Sequence, residues 1–200
     1  MTDATPPFGL TVCGIEELAG HCGAGASHVL SILDPGFPVP EAFGAFGPHE
    51  KLELRFDDII EDLPGQLPPQ PEHIERILAF GRTLAAEPRR DAHLLVHCHA
   101  GISRSTASMV LLVAQALPDL PADRVLARIH GIREKAWPNL RMIEIGDAML
   151  RRNGTLIEAA HALHRLQLER RPHLADFMEQ GGRGREVAAA RAATPWRPEA

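Results

Sequence analysis

The sequence predicts an α/β fold, with a central, mostly parallel sheet flanked by helices. Three observations predict it. Segments of strand character alternate with segments of helical period along the 200 residues. One segment, Leu94-Leu95-Val96, is continuously apolar, as a parallel strand covered on both faces must be. A short loop then leads that segment straight into a helical run.

The elements follow in order. Leu10 to Cys13 reads as a short strand ending at Gly14, and Ser27 to Leu33 as a second, closed by the turn signal Asp34-Pro35-Gly36. Residues 35–49, rich in Pro and Gly, read as an irregular loop. Leu52, Leu54 and Phe56 alternate with Glu53, Arg55 and Asp57, the period of two that marks a half-buried strand. A second Pro-rich loop ends at Pro71, which suits the first turn of a helix because its missing N–H is not needed there. Ile74, Ile77, Leu78 and Leu84 continue that helix to Glu87-Pro88. His93 to His97 is the apolar strand, and residues 104–117 form a helix ending before Pro118.

Val125, Leu126, Ile129 and Ile132 make another amphipathic stripe. Trp137-Pro138-Asn139 punctuates, and Leu140 to Leu150 is a further helix. Thr155 and Glu158 have capping-box spacing and open a helix carrying Leu156, Ala159, Leu163 and Leu166. From Gly181 onward the Gly-, Ala- and Arg-rich sequence predicts a mobile tail, with arginines 183, 185, 191 and 197 in solvent. The expected organisation is therefore one domain over residues 1–152, an additional C-terminal helix within 153–180 packed on it, and a tail over 181–200.

Composition narrows the function classes. A net charge of −5 argues against nucleic-acid partners and against attachment to a membrane surface by basic residues. The longest apolar run, near Met109 to Leu117, falls short of the ~20 residues a membrane helix needs. The first residues lack a basic region followed by an apolar core. Three cysteines, Cys13, Cys22 and Cys98, are too few for a disulfide framework, so a reducing, cytoplasmic setting is expected.

The chemistry concentrates in His97-Cys98-His99-Ala100-Gly101-Ile102-Ser103-Arg104-Ser105, between the buried strand and a helix. A loop feeding a helix N-terminus aims free N–H groups at one point, and the helix dipole adds positive charge there, which suits phosphate. Cys98 ends the strand; a thiol at such a place loses its proton more readily than a free one. Six positions on, Arg104 is placed to grip two phosphate oxygens with its planar fork. Gly101 lets the backbone turn tightly, Ser105 is placed to hydrogen-bond the Cys98 sulfur, and His97 to steady the loop. His99, Ala100, Gly101, Ile102 and Ser103 supply the phosphate-binding backbone.

This stretch resembles the His-Cys-x5-Arg-Ser/Thr motif of the protein tyrosine phosphatase superfamily, and its inner residues resemble the dual-specificity branch. The resemblance extends over residues 9 to 150. It implies a three-layer domain and hydrolysis of a phosphoester through a cysteinyl phosphate, with no metal or cofactor. It also implies a general acid on a loop some forty residues before the cysteine. Phe56-Asp57-Asp58-Ile59 offers two candidates; the dual-specificity pattern, counted from Phe56, favours Asp58 over Asp57, with Glu61 and Asp62 behind them. Asn139 resembles a Pro-Asn element of these enzymes and either caps the following helix or braces the phosphate loop.

Zinc is the weaker reading of His97, Cys98 and His99, because neighbours on a strand point to opposite faces. The expected substrate is a phosphoprotein or a simpler phosphoester. An inositol-phosphate phosphatase and a phospho-binding module with little turnover are the alternatives.

Overall fold

The computed structural model describes residues 5–86 and 92–196. Four strands form the sheet: β1 (Gly9–Cys13), β2 (His28–Leu33), β3 (Glu50–Arg55) and β4 (His93–His97). Their spatial order is β1-β4-β2-β3, and every pair is parallel. The two inner strands are the ones with unbroken burial from residue to residue, β2 throughout and β4 from Leu94 on. The alternating strand β3 lies at an edge, where one flank meets solvent.

The register sets the site. Cys13 and Ser31 both pair with His97, and Leu33 pairs with Arg55. The chain therefore leaves all four strands at one end of the sheet, through Gly14, Asp34, Phe56 and Cys98. Parallel sheets collect ligands at that end.

One face of the sheet presents Val12, Leu30, Ile32, Leu54, Leu94 and Val96 to the main core. Helices α1 (Pro71–Ala86) and α2 (Arg104–Ala116) cover it. The opposite face presents Cys13, Val29 and Leu95 to Leu18, Phe43 and Phe46. Those come from short 3-10 turns at Ile15–His21 and Glu41–Ala45, so the third layer is thin. Every residue of α2 from Arg104 to Ala114 is buried, because α1, α3 (Ala122–Ile132) and α4 (Leu140–Met149) surround it.

The C-terminal third differs from the sequence expectation in three ways. First, the single helix expected within 153–180 is two: α5 (Thr155–Arg170) and α6 (Leu174–Gln180). Pro172 lies at the break, where it has no N–H to continue the ladder. Second, the Thr155–Glu158 capping box does not form. Gly154 is the N-cap, Thr155 Oγ1 donates back to the Arg152 carbonyl at 2.8 Å, and Asp147 of α4 caps instead. Its two carboxylate oxygens accept from Gly154 N at 2.7 Å and Leu156 N at 3.0 Å. Third, residues 184–192 are not a tail but a helix, α7 (Gly184–Ala192), with Glu186, Val187 and Ala190 buried. Gly182, at φ +73°, makes the reversal between α6 and α7, a left-handed conformation that glycine adopts without strain. The helix end at Glu87-Pro88 and Arg197 lie outside the described residues.

Candidate active site

Cys98 leaves β4 at the floor of a cavity of about 810 Å³. Its Sγ lies 3.2 Å from Ser105 Oγ, on the first turn of α2, and both residues are buried. Between them the loop 99–103 is held from outside by its carbonyls. The His99 carbonyl accepts from Ile15 N at 2.9 Å, and the Ile102 carbonyl from Trp137 N at 2.9 Å. Arg133 clasps two more: Nη2 donates to Ala100 O at 2.9 Å and Nε to Gly101 O at 3.0 Å. Ser103 O accepts from Ala107 N at 2.9 Å. Among the described residues no protein acceptor takes the N–H of residues 99–103. Such a ring of open donors at a helix start is an anion cradle.

Gly101 is required by this geometry. Its φ is +68°, and a Cβ there would sit 2.4 Å from the Cys13 carbonyl carbon and 2.5 Å from Gly14 N. The loop 99–103 therefore rests directly on the end of β1.

Arg104 is 2% exposed. Its Nη1 donates to Asp34 Oδ1 at 2.6 Å and to the Phe56 carbonyl. Nε is buried without a partner, and Nη2 bonds nothing among the described residues. Asp34 thus fixes one corner of the guanidinium and leaves the Nε–Nη2 edge, the edge that grips two oxyanion oxygens, unoccupied. His99 packs on Phe37 at 4.4 Å between ring centres, and its Nε2 accepts from Asp34 N at 3.3 Å. Burial and nearby Arg104 keep His99 below its ordinary pKa against the pull of Asp34. His97 lies one residue before Cys98, fully buried, with Nε2 2.8 Å from its cross-strand neighbour Ser31. Burial pushes its pKa down to about 4.

The two aspartates after β3 separate cleanly. Asp57 closes its own loop: its N–H donates to Leu67 O and its Oδ2 accepts from Leu67 N, both at 2.7 Å. Asp58 turns to the loop 99–103. Its Oδ1 accepts from Ser103 Oγ at 2.7 Å and Asn139 Nδ2 at 2.9 Å, and lies 3.5 Å from Arg183 Nη1. Burial pushes the Asp58 carboxyl up, but Arg183, Arg104 and the two donors outweigh it and hold it below the ordinary range. Of the two roles the sequence allowed, the Asn139 side chain takes the cap, and its amide holds Asp58 rather than the loop 99–103. Its Oδ1 caps α4 by accepting from Met142 N at 3.1 Å, while its Nδ2 braces Asp58.

Solved structures share the fold that carries this arrangement. The chain superposes on human DUSP28 with a TM-score of 0.52 and 17% identity, covering 74% of this chain and 96% of that one. For DUSP15 the values are 0.51 and 23%, over 86% and 96%. For the Cydia pomonella PTP-2 phosphatase they are 0.54 and 19%, over 74% and 90%. The chain has the dual-specificity phosphatase fold. No protein-family model and no curated protein sequence matches it.

Within the dual-specificity phosphatase fold, the structure brings Cys98, His99, Ala100, Ile102, Ser103, Arg104, Asp57 and Asp58 to the cavity, with Ser105 beside the sulfur, while Gly101, His97 and Asn139 do not line it. Sequence reasoning missed four side chains. Asp34 was concealed inside a turn signal and Arg133 at the end of an amphipathic helix. Arg183 and Glu186 stood in a segment read as a tail. Arg183 is buried, donating to Ser103 Oγ at 3.0 Å and, through Nε and Nη2, to both oxygens of Glu186 at 2.8 Å. Glu186 also accepts from Trp137 Nε1 at 2.7 Å and Leu140 N at 2.9 Å. The far wall of the cavity is built from Leu174, Phe177 and Met178 of α6, with Lys135 and Arg171 beside them.

Proposed function

We propose that the protein hydrolyses phosphoesters through a cysteinyl-phosphate intermediate, without a metal. The observation that carries this reading is the unpaired Nε–Nη2 edge of Arg104, in one cavity with the Cys98 sulfur and with a loop, residues 99–103, whose N–H groups have no protein acceptor among the described residues. The cradle takes the phosphoryl oxygens, and the Cys98 thiolate attacks phosphorus from below. The S–P bond forms as the P–O bond breaks, and the leaving oxygen takes a proton from Asp58. Water then attacks phosphorus, its proton passes to Asp58, and the S–P bond breaks with Ser105 donating toward the departing sulfur. Arg104 and the loop N–H groups hold the equatorial oxygens through both steps, before and after charge shifts.

The substrate reading is a phosphoprotein bearing phosphotyrosine, with phosphoserine and phosphothreonine as further candidates. One structural neighbour, PTPMT1, with a TM-score of 0.52 at 14% identity, was crystallised in complex with PI(5)P. Phosphoinositides therefore belong in the substrate panel.

The test is turnover of an aryl phosphate in EDTA by wild type, Cys98→Ser, Asp58→Asn and Asp57→Asn. Cys98→Ser is expected to abolish turnover. Asp58→Asn is expected to lower it by roughly 10²–10⁴ and to flatten the pH profile, which is the usual worth of a positioned general acid. Asp57→Asn is expected to leave the profile in place. Turnover that survives Cys98→Ser would overturn the thiolate reading, and wild-type binding of phosphate without turnover would favour the binding-module alternative.

A further inference from the structure

Arg183 enters the site from the residue before α7, in a part of the chain far from the cysteine motif. It is 6% exposed, while its partner Glu186 is fully buried. Burying such a pair is costly unless the geometry and the remaining hydrogen bonds are good. Here they are: Glu186 takes both Nε and Nη2 of Arg183, and its oxygens also receive the Trp137 indole and Leu140 N–H. Trp137 in turn stacks on His164 of α5, with ring centres 4.3 Å apart and planes at 11°. This clamp leaves Nη1 as the one nitrogen of the Arg183 head aimed at the cavity, where it donates to Ser103 and faces Asp58.

We propose that Arg183 is a positioning residue for the reaction: it acts through Ser103 and Asp58, locking the phosphate loop to the general acid. The inference rests on the reading of Cys98 as nucleophile and Asp58 as acid. Its chemical content is a set proton affinity for Asp58. The charged and titratable groups acting on that carboxyl are Arg183 from the residue before α7, Arg104 from the start of α2, and His99 from the loop after β4. Ser103 and Asn139 are its neutral donors. Each guanidinium also holds a second carboxylate, Arg104 that of Asp34 and Arg183 that of Glu186, and Arg183 sets its remaining nitrogen, Nη1, 3.5 Å from Asp58 and on the same Ser103 hydroxyl that Asp58 accepts from. Its stabilisation of the ionised acid makes activity fall at lower pH than it otherwise would, since the first step needs Asp58 protonated.

The experiment measures kcat/KM against pH on an aryl phosphate for wild type, Arg183→Gln with Glu186→Gln, and both combined with Asp58→Asn. Pairing the two glutamines avoids stranding a buried charge. The basic limb is expected to move up by about one pH unit, a tenfold change in acid fraction. No such shift is expected in the Asp58→Asn background. A folded double variant with an unmoved limb and a uniform rate loss overturns the proposal. If the double variant does not fold, Arg183→Lys decides, since it keeps a cation against Glu186 and loses the forked link. Its rate should fall more for phenyl phosphate than for p-nitrophenyl phosphate, whose leaving group needs little protonation; equal losses overturn the proposal. Cys98→Ser run alongside separates the two claims. A dead Cys98→Ser with an unmoved limb removes only the role of Arg183, whereas an active Cys98→Ser removes the reading beneath it.

Discussion

Gly101 shows how much one residue decides here. Alanine at φ +68° costs about 1–2 kcal/mol from the left-handed conformation alone. Its Cβ would also press on the end of β1 at 2.4 Å, against backbone that has no freedom to yield. Gly101→Ala is therefore expected to lower the urea midpoint and to cost more in kcat/KM than in stability, because the loop must lift off Cys13 and Gly14. Urea unfolding and aryl phosphate kinetics on the same preparation check this; a variant with wild-type kinetics would contradict it. The two cysteines near this contact differ in chemistry. Burial, reinforced by Glu17, pushes the Cys13 thiol up to about 12, so it remains an uncharged core group. At this scale the sequence was most legible. Cysteine, arginine and glycine in that loop have few other uses at that spacing, and the structure puts each where the spacing implied. Arg133 was not legible, because nothing in Ile132-Arg133-Glu134 distinguishes an arginine that clasps two carbonyls from one in solvent.

Strands and helices were legible wherever their apolar period was strong. All four strands and the helices through α4 fall where periodicity placed them. The C-terminal elements were not, and the reason is physical. A Gly-Gly pair reads alike as a linker or as the tight reversal between two packed helices; Gly182 at φ +73° makes it the second. The helix α5 likewise starts on a cap that local sequence cannot show, since its acceptor comes from another helix. Asp147 is 3% exposed and receives two N–H groups at the start of α5, where a negative charge also complements the helix dipole. Asp147→Ala removes both acceptors and is expected to destabilise the protein by about 1–2 kcal/mol, while Thr155→Ala, outside the cap, is expected to change stability by less than about 0.5 kcal/mol. Denaturant midpoints of the two variants measure the difference. Because α5 carries His164 and touches α7, Asp147→Ala should also weaken the seat of Arg183.

Across the whole molecule, parallel strands deliver the Cys98–Arg104 loop, Asp34 and Asp58 to one edge, and α5 to α7 close that edge from the far side. The residues joining the two parts are buried and polar, so the assembly has a built-in pH response. His97 and His164 are both fully buried, and burial lowers each from 6.5 to about 4. His164 sits against Trp137 with its Nε2 2.9 Å from the Pro138 carbonyl, and its Nδ1 has no partner. Both rings are neutral in the folded state, whereas unfolded histidines take a proton near 6.5. Below that value the unfolded state binds more protons, so stability is fully present above pH 6.5 and is lost as pH falls toward 4. The slope is on the order of 1.4 kcal/mol per pH unit for each ring. The depressed carboxylates, Asp58 and Glu17, act in the same sense but in a more acidic range. Urea unfolding at pH 7.5, 6 and 5 should therefore show a midpoint that is highest at pH 7.5 and falls steeply from 6 to 5. Replacing His164 by glutamine should lower that slope by the share of one ring, leaving the part that His97 and the other depressed histidines supply. A midpoint that does not move between pH 7.5 and 5 would mean that these histidines titrate alike in the folded and unfolded chain, and that the packing of α5 against Trp137 does not exclude the proton.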